Sequence, residues 1–327
     1  MRILVTGGAG YIGSVMVRRL RAAGHEPLVL DDLSTGHRDA IAGEDLIVGD
    51  CGDRSLVGPL LADRRVEAVM HFAASSLVGE SVRDPARYYR NNLERSLALI
   101  DLLRERRVGL FVLSSTAAVY GEPVVLPMRE DHPNRPTNPY GETKLALEKA
   151  LHWYHAAHGM SFAALRYFNA AGATEDGRLG EDHDPETHLV PNVLRSAVSG
   201  SPVAVFGTDY ATHDGTAIRD YVHVEDLADA HLRALDRLAS HGGALTYNLG
   251  NGTGFSVRQV IEAAGRVTGR PIPTRTAPRR PGDPESLVAS SDRARSELGW
   301  APRFASLESI LETAWRYMRS RPGGRAG

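Results

Sequence analysis

The chain has 327 residues, 42% of them hydrophobic, with one cysteine and a formal net charge of −2. That length can bury a large core in two lobes, the near-neutral charge gives no general attraction to nucleic acid or a membrane surface, and one cysteine excludes an intrachain disulfide. Met1-Arg2 runs straight into a strand-like segment, no stretch reaches membrane-spanning length without charge, and no Cys/His metal framework stands out, so a cytoplasmic enzyme without a metal is expected.

The apolar run Ile3-Leu4-Val5 leads into Thr6-Gly7-Gly8-Ala9-Gly10-Tyr11-Ile12-Gly13 and then a helical pattern through Val15, Val17 and Leu20. Gly7, Gly10 and Gly13 stand at the spacing that lets a backbone turn sharply, approach a pyrophosphate and aim a helix N-terminus at it. The next strand, Pro27-Leu28-Val29-Leu30, ends in Asp31. A carboxylate there accepts hydrogen bonds from ribose hydroxyls and repels a 2′-phosphate, which favours NAD over NADP, although Arg38 leaves NADP open.

Strands are expected near 2–6, 27–31, 45–48, 67–71, 110–115 and 162–167, with helices near 11–23, 53–62, 84–107 and 139–158. This alternation demands a parallel sheet covered on both faces, a Rossmann-like doubly wound α/β fold, with ligands at the carboxyl ends of the strands. Asp31, Asp50, Phe72-Ala73-Ala74, Thr116 and Asn169 all end strands. Residues 1–170 are read as the dinucleotide domain and 171–327 as a smaller α/β substrate lobe, with 221–250 returning to the sheet. Helical patterns at 187–199, 224–240, 256–266 and 306–318 fall in the second half, where loops rich in Gly, Pro, Asp and His interrupt shorter elements.

Within this pattern Tyr140 and Lys144, in Asn138-Pro-Tyr-Gly-Glu-Thr-Lys144, share one helix face. A cation one turn from a phenol can stabilise a phenolate, which makes the pair a proton-transfer device. The histidines show no convincing ligand spacing, and Cys51 reads as a small packing residue.

The stretches TGGAGYIGS, LDDLSTGHR, HFAASSLVGES, SSTAAVYG, NPYGETK, LRYFNAAGA, DGTAIRDYVHVEDLA, YNLGNG and RRPGDP, in that order, resemble the extended short-chain dehydrogenase/reductase family, and the later ones its nucleotide-sugar members. The resemblance runs from Met1 to about Met318. It implies 4-epimerisation of a UDP-hexose, UDP-galactose to UDP-glucose, by transient oxidation at C4 to a 4-ketosugar and return of hydride to either face, with NAD unchanged overall. It assigns Tyr140 as general base, with its pKa lowered by Lys144 and the nicotinamide, and Thr116 as partner of the sugar's 4-oxygen. For the cofactor it implies the glycine turn with Tyr11 and Ile12, Asp31 and Asp32 at the adenine ribose, Asp50 and Cys51 at the adenine edge, then Phe72, Ala73, Ala74, Asn91 and Tyr167. Arg219 and Arg280 are implied as the diphosphate clamp, Asn169, His188 and Leu189 near the diphosphate sugar, Phe206 under uracil and Asp283 at a ribose hydroxyl. Ser76 stands where relatives carry lysine, and Leu287 at a wall position that varies with the sugar accepted. A homodimer through helices 84–107 and 139–158 is implied, with Tyr88-Tyr89 and Trp153-Tyr154 as anchors.

Three other readings stay open: a 4-epimerase of UDP-GlcNAc, a UDP-pentose or UDP-glucuronate, a nucleotide-sugar dehydratase, and a non-catalytic NAD(H) sensor. A dehydratase needs an Asp-Glu pair after the threonine, where this chain has Ala117-Ala118. A sensor has no need of Tyr140 and Lys144.

Overall fold

The computed structural model describes residues 1–280 and 284–321. In chain order the strands are β1 (Arg2–Thr6), β2 (Glu26–Asp31), β3 (Asp45–Val48), β4 (Ala68–His71), β5 (Leu110–Thr116), β6 (Ser161–Tyr167), β7 (Asn169–Ala171), β8 (Val203–Phe206), β9 (Ile218–Arg219), β10 (Tyr221–His223), β11 (Ala244–Leu249), β12 (Phe255–Ser256), β13 (Thr274–Ala277) and β14 (Ser286–Leu287). The helices are α1 (Tyr11–Ala22), α2 (Arg54–Asp63), α3 (Val78–Arg83), α4 (Pro85–Tyr88), α5 (Arg95–Glu105), α6 (Pro139–His158), α7 (Leu189–Ser199), α8 (Val224–His241), α9 (Val257–Thr268), α10 (Asp292–Leu298) and α11 (Leu307–Ser320).

Seven strands form one sheet in the order β11-β6-β5-β4-β1-β2-β3, every neighbouring pair parallel. Strand order therefore reverses between β1 and β4, opening a crevice at their carboxyl ends. Both faces are covered, which is why the strands read as continuous apolar runs. Ile3 and Val5 face the layer of α1 and α8, while Leu4 faces that of α2, α5 and α6; Val112 and Phe111 divide in the same way on β5.

The lobe beyond the sheet packs α7, α9 and α11 around Val193, Leu194, Val260, Ile310 and Leu311. Small sheets stitch it together: β7 with β10, β8 with β13, and β9 between β12 and β14. These strands are two to four residues long, too short to show a period. The helix expected over 84–107 is three pieces: α4, a π-helical stretch Tyr89–Glu94, and α5. The wider turn swings Asn92 inward, where its side chain grips Ser75 through both backbone groups at 2.8 and 2.9 Å.

One buried ion pair ties the sheet to α6. Arg166 of β6 meets Glu148 at 2.5 Å, both side chains at most 5% exposed, and Arg166 also donates to the Tyr120 hydroxyl at 3.0 Å. Removing one partner strands the other charge. Arg166→Met is expected to destabilise the fold by about 3–5 kcal/mol in denaturant titration, and adding Glu148→Gln should restore part of the loss.

Candidate active site

The glycine turn is shaped by close approach. Gly7 has φ +71°, and a Cβ there would lie 2.5 Å from the Ala73 nitrogen; a Cβ on Gly13 would lie 2.1 Å from the Gly7 carbonyl oxygen. Gly10 caps α1 without a side chain, and the first turn carries no acid. The first amides of α1, at Tyr11, Ile12 and Gly13, are thus left without capping side chains, and the helix N-terminus favours an anion. The cradle fits a dinucleotide pyrophosphate.

Asp31, at the end of β2, accepts from the Ala9 amide at 2.9 Å and the Leu33 amide at 2.8 Å, clamping the turn to its own strand. Burial raises its pKa, and the two amides pull against that rise. Asp32 is exposed and accepts from Ser34 at 2.9 Å. Asp50 receives Arg95 at 2.8 Å, and Arg95 also comes within 4.0 Å of Asp32. The arginine, on α5, is a residue the sequence reading missed. Burial pushes the Cys51 thiol up to about 12, so it stays neutral. Phe72, Ala73 and Ala74 lie half-buried at the end of β4, the Phe72 ring 4.9 Å from that of His231. Asn91 bridges Ser75 at 3.3 Å and Arg95 at 3.0 Å, while Asn92 makes the buried contacts. Ser76 is exposed.

At the carboxyl end of β5, Thr116 accepts from the Ala118 amide at 3.1 Å. Asn138 caps α6 by accepting from Gly141 at 2.9 Å, and Pro139 opens the first turn. A Cβ on Gly141 would lie 2.4 Å from the Ala118 carbonyl oxygen. Gly141 therefore lets α6 settle onto the strand end, bringing Tyr140 against Thr116. No motif spacing marks it. Lys144 is 1% exposed and donates to the Ser114 carbonyl at 2.7 Å. Burial lowers its pKa to about 8, with Glu148 holding it up.

Burial raises the Tyr140 pKa and a hydrogen bond with Thr116 lowers it, burial prevailing. In the protein alone desolvation is the larger effect, whereas the lowering implied by the resemblance involves Lys144 together with a bound nicotinamide. Tyr167 hydrogen-bonds Ser114 and feels the Tyr140 charge, which places it in the same cluster. Tyr88 lies edge-on to Tyr140 at 6.4 Å, fully buried, with its hydroxyl on the Leu77 carbonyl at 2.8 Å. That burial removes Tyr88 from the expected dimer anchors.

On the lobe side, β14 pairs with β9 so that Leu287 stands opposite Arg219 and packs toward Ala117, Tyr120 and Leu145. Arg219 donates to the carbonyls of Ile218 at 2.6 Å and Pro284 at 2.8 Å. The Arg280 guanidinium lies 4.0 Å over the Phe206 ring, whereas Arg279 is held by Asp209 at 2.8 Å and by the Tyr210 ring. A cleft of about 500 Å³ beside them is lined by Val124, Val125, Leu126, Tyr210, Arg279 and Ser286. Asn169 donates its backbone amide to Asp220 at 3.0 Å, and Leu189 begins α7. Asp283 lies outside the described residues.

The His188 ring is engaged elsewhere, by Glu181 at 2.8 Å and Glu186 at 3.1 Å. Burial disfavours its charge, but the two carboxylates raise its pKa to about 10. Both contacts are made by the Nδ1 atom of the ring.

With this geometry in view, residues 3–250 match the model of the NAD dependent epimerase/dehydratase family. The chain belongs to that family. It is 51% identical to a UDP-glucose 4-epimerase of Halalkalibacterium halodurans over 99% of this chain and 97% of the relative. The solved UDP-glucose 4-epimerase of Brucella ovis in complex with NAD is similar at 46% identity and a TM-score of 0.93, covering 96% of this chain and 97% of that one. The Bifidobacterium longum UDP-glucose 4-epimerase, solved with NAD+ and UDP, aligns at a TM-score of 0.92 and 37% identity over 99% of this chain and 100% of that one.

Two glycine substitutions separate cradle from catalytic end. Gly13→Ala is expected to yield protein without dinucleotide, read from its absorbance after purification. Gly141→Ala should keep the dinucleotide and lose about 10²-fold in turnover, since a shift near 1 Å has that effect on a reacting group.

Proposed function

We propose that the chain is an isomerase that interconverts UDP-galactose and UDP-glucose by NAD-dependent 4-epimerisation. The observation that carries this reading is the meeting of Thr116, Tyr140 and buried Lys144 at the end of β5, beside the glycine cradle. Family membership and the 51% identity to a UDP-glucose 4-epimerase support it. When bound, oxidised NAD supplies a two-electron acceptor for the sugar's C4 carbon and a positive charge beside Tyr140.

The chain's own groups account for the proton. Thr116 orients the sugar's 4-hydroxyl toward the phenol, and Tyr140 takes the proton and later returns it as the sugar presents its other face. Burial keeps the free phenol protonated, so the base forms only in the loaded site. Lys144 holds the phenolate from one turn away while the Ser114 carbonyl fixes its ammonium. Gly7, Gly10 and Gly13 with the amides of Tyr11 and Ile12 hold the cofactor pyrophosphate. Asp31 takes the adenine ribose with Asp32 near it, Asp50 and Cys51 bound the adenine, and Phe72, Ala73, Ala74, Asn91 and Tyr167 line the remainder. Arg219 and Arg280 grip the substrate diphosphate, Asn169 and Leu189 flank it, and Phe206 backs the uracil. Anchoring the nucleotide strongly and the hexose weakly lets the sugar turn over in place.

Residues 1–170 with the returning segment 221–250 form the dinucleotide domain in this reading, and the rest chiefly the substrate lobe. Among the described residues no helix is long and apolar enough to cross a membrane. We place the enzyme in the cytoplasm, as its single cysteine suits a reducing compartment. It acts as a homodimer, with Val82, Tyr89 and Trp153, 62%, 44% and 75% exposed, as the apolar anchors of the contact.

Tyr140→Phe is expected to retain NAD and UDP binding while turnover of UDP-galactose falls by about 10²–10⁴-fold; near-normal activity would overturn the assignment. A panel of UDP-hexoses, UDP-N-acetylhexosamines and UDP-pentoses should show UDP-galactose and UDP-glucose preferred. Turnover should also decline as pH rises through about 8, where Lys144 loses its proton. The sign for stability is opposite: the folded value lies below the unfolded one, so charged Lys144 costs stability that is regained as pH rises through that value.

A further inference from the structure

We propose that Glu181, His183, Glu186 and His188 form a binding site for one divalent transition cation of the Zn²⁺ type. One ring nitrogen from each histidine and one oxygen from each glutamate converge, all within 4.8 Å of one another. The four residues lie between β7 and α7, apart from the reacting groups at Tyr140, and no part of the proposed epimerisation uses them as a set.

Two of their separations are hydrogen-bond distances and two are longer, and the whole set has the spread of ligands around one ion. His188 Nδ1 lies 2.8 Å from Glu181 and 3.1 Å from Glu186, and His183 Nδ1 lies 3.3 Å from Glu181 and 3.7 Å from Glu186. Zinc bonds to nitrogen and oxygen of about 2.0–2.1 Å place tetrahedral ligands roughly 3.3 Å apart, inside that spread. The decisive pair is the longest. Glu186 Oε2 and His183 Nδ1 are both buried atoms without a hydrogen-bond partner, and the Glu186 side chain is 0% exposed. Its other oxygen is satisfied three times, by the amides of Thr187 and His188 at 2.8 Å each and by the His188 ring. A buried carboxylate oxygen without a hydrogen bond while its twin is saturated needs positive charge nearby, and a metal ion in place of the ring protons supplies it. Two carboxylates neutralise a divalent charge, and imidazole with carboxylate is a donor set that zinc accepts.

The position gives the ion a structural part. Tyr11 of the glycine turn donates to the Gly172 carbonyl at 2.7 Å and lies edge-on to the His183 ring at 6.4 Å. His188 is the N-cap of α7. A bound cation would fasten the loop between β7 and α7 beside the dinucleotide cradle, holding the lobe against the nucleotide domain.

The test uses full-length, untagged protein freed of metal by chelation. Titration with Zn²⁺ should show one equivalent bound tightly, with a rise in thermal midpoint, and Co²⁺ should give the visible absorption of a four-coordinate site. Elsewhere the chain has the other eleven of its 13 histidines, which could take up metal weakly, so variants decide the location. His183→Gln and Glu186→Gln, each verified as folded by circular dichroism, should lose the tight equivalent and the cobalt spectrum. Absence of a tight equivalent in the parent protein, or its persistence in both variants, would overturn the proposal. Neither readout depends on turnover, so failure here leaves the epimerase reading standing.

Discussion

The structure hangs on the seating of α6 against the end of β5. Gly141 has no side chain because the Ala118 carbonyl occupies the space, and Lys144 reaches down to the Ser114 carbonyl one helical turn later. These two contacts set the height and rotation of the helix. Tyr140 faces Thr116 because of them, and the buried pair of Glu148 with Arg166 locks the next turn to the neighbouring strand. Catalytic geometry and fold stability thus share one helix.

Electrostatics at this end of the sheet is governed by burial. The phenol is pushed toward its protonated form, the ammonium toward its neutral form, and His71 is held neutral, its pKa lowered to about 3 by burial and by nearby Lys144. His71 hydrogen-bonds Thr6 at 2.7 Å and Ser96 at 2.8 Å, so the neutral ring is fully used. A site that resists charge in each of its own groups is sensitive to charge brought by a ligand. That sensitivity links proton transfer to cofactor occupancy.

Features written within a few neighbouring residues were legible in the sequence. The glycine turn, Asp31 at a strand end, the Tyr140/Lys144 spacing and the six apolar strands each follow from local sterics or a short period. What escaped depends on distant partners. Arg95 matters because β3 ends beside α5, Gly141 because a carbonyl from another segment approaches it, and Asn92 because a π-helical turn rotates it inward. The alternating glutamates and histidines of 181–188 read as a polar loop until the chain curls them toward a common point. Tyr88 was misread for the opposite reason: an aromatic on an amphipathic helix looks like a contact residue whichever way the helix is rolled.

The edge strand β11 carries a consequence for biosynthesis. It pairs with β6 along its whole length, yet in the chain it follows β6 only after most of the lobe segments from β7 to α8 have been made. While the ribosome is still producing those segments, β6 presents unpaired amides and carbonyls along an apolar border. The nascent chain passes through an interval in which it is adhesive, and chaperone capture at that stage favours a clean finish over clumping.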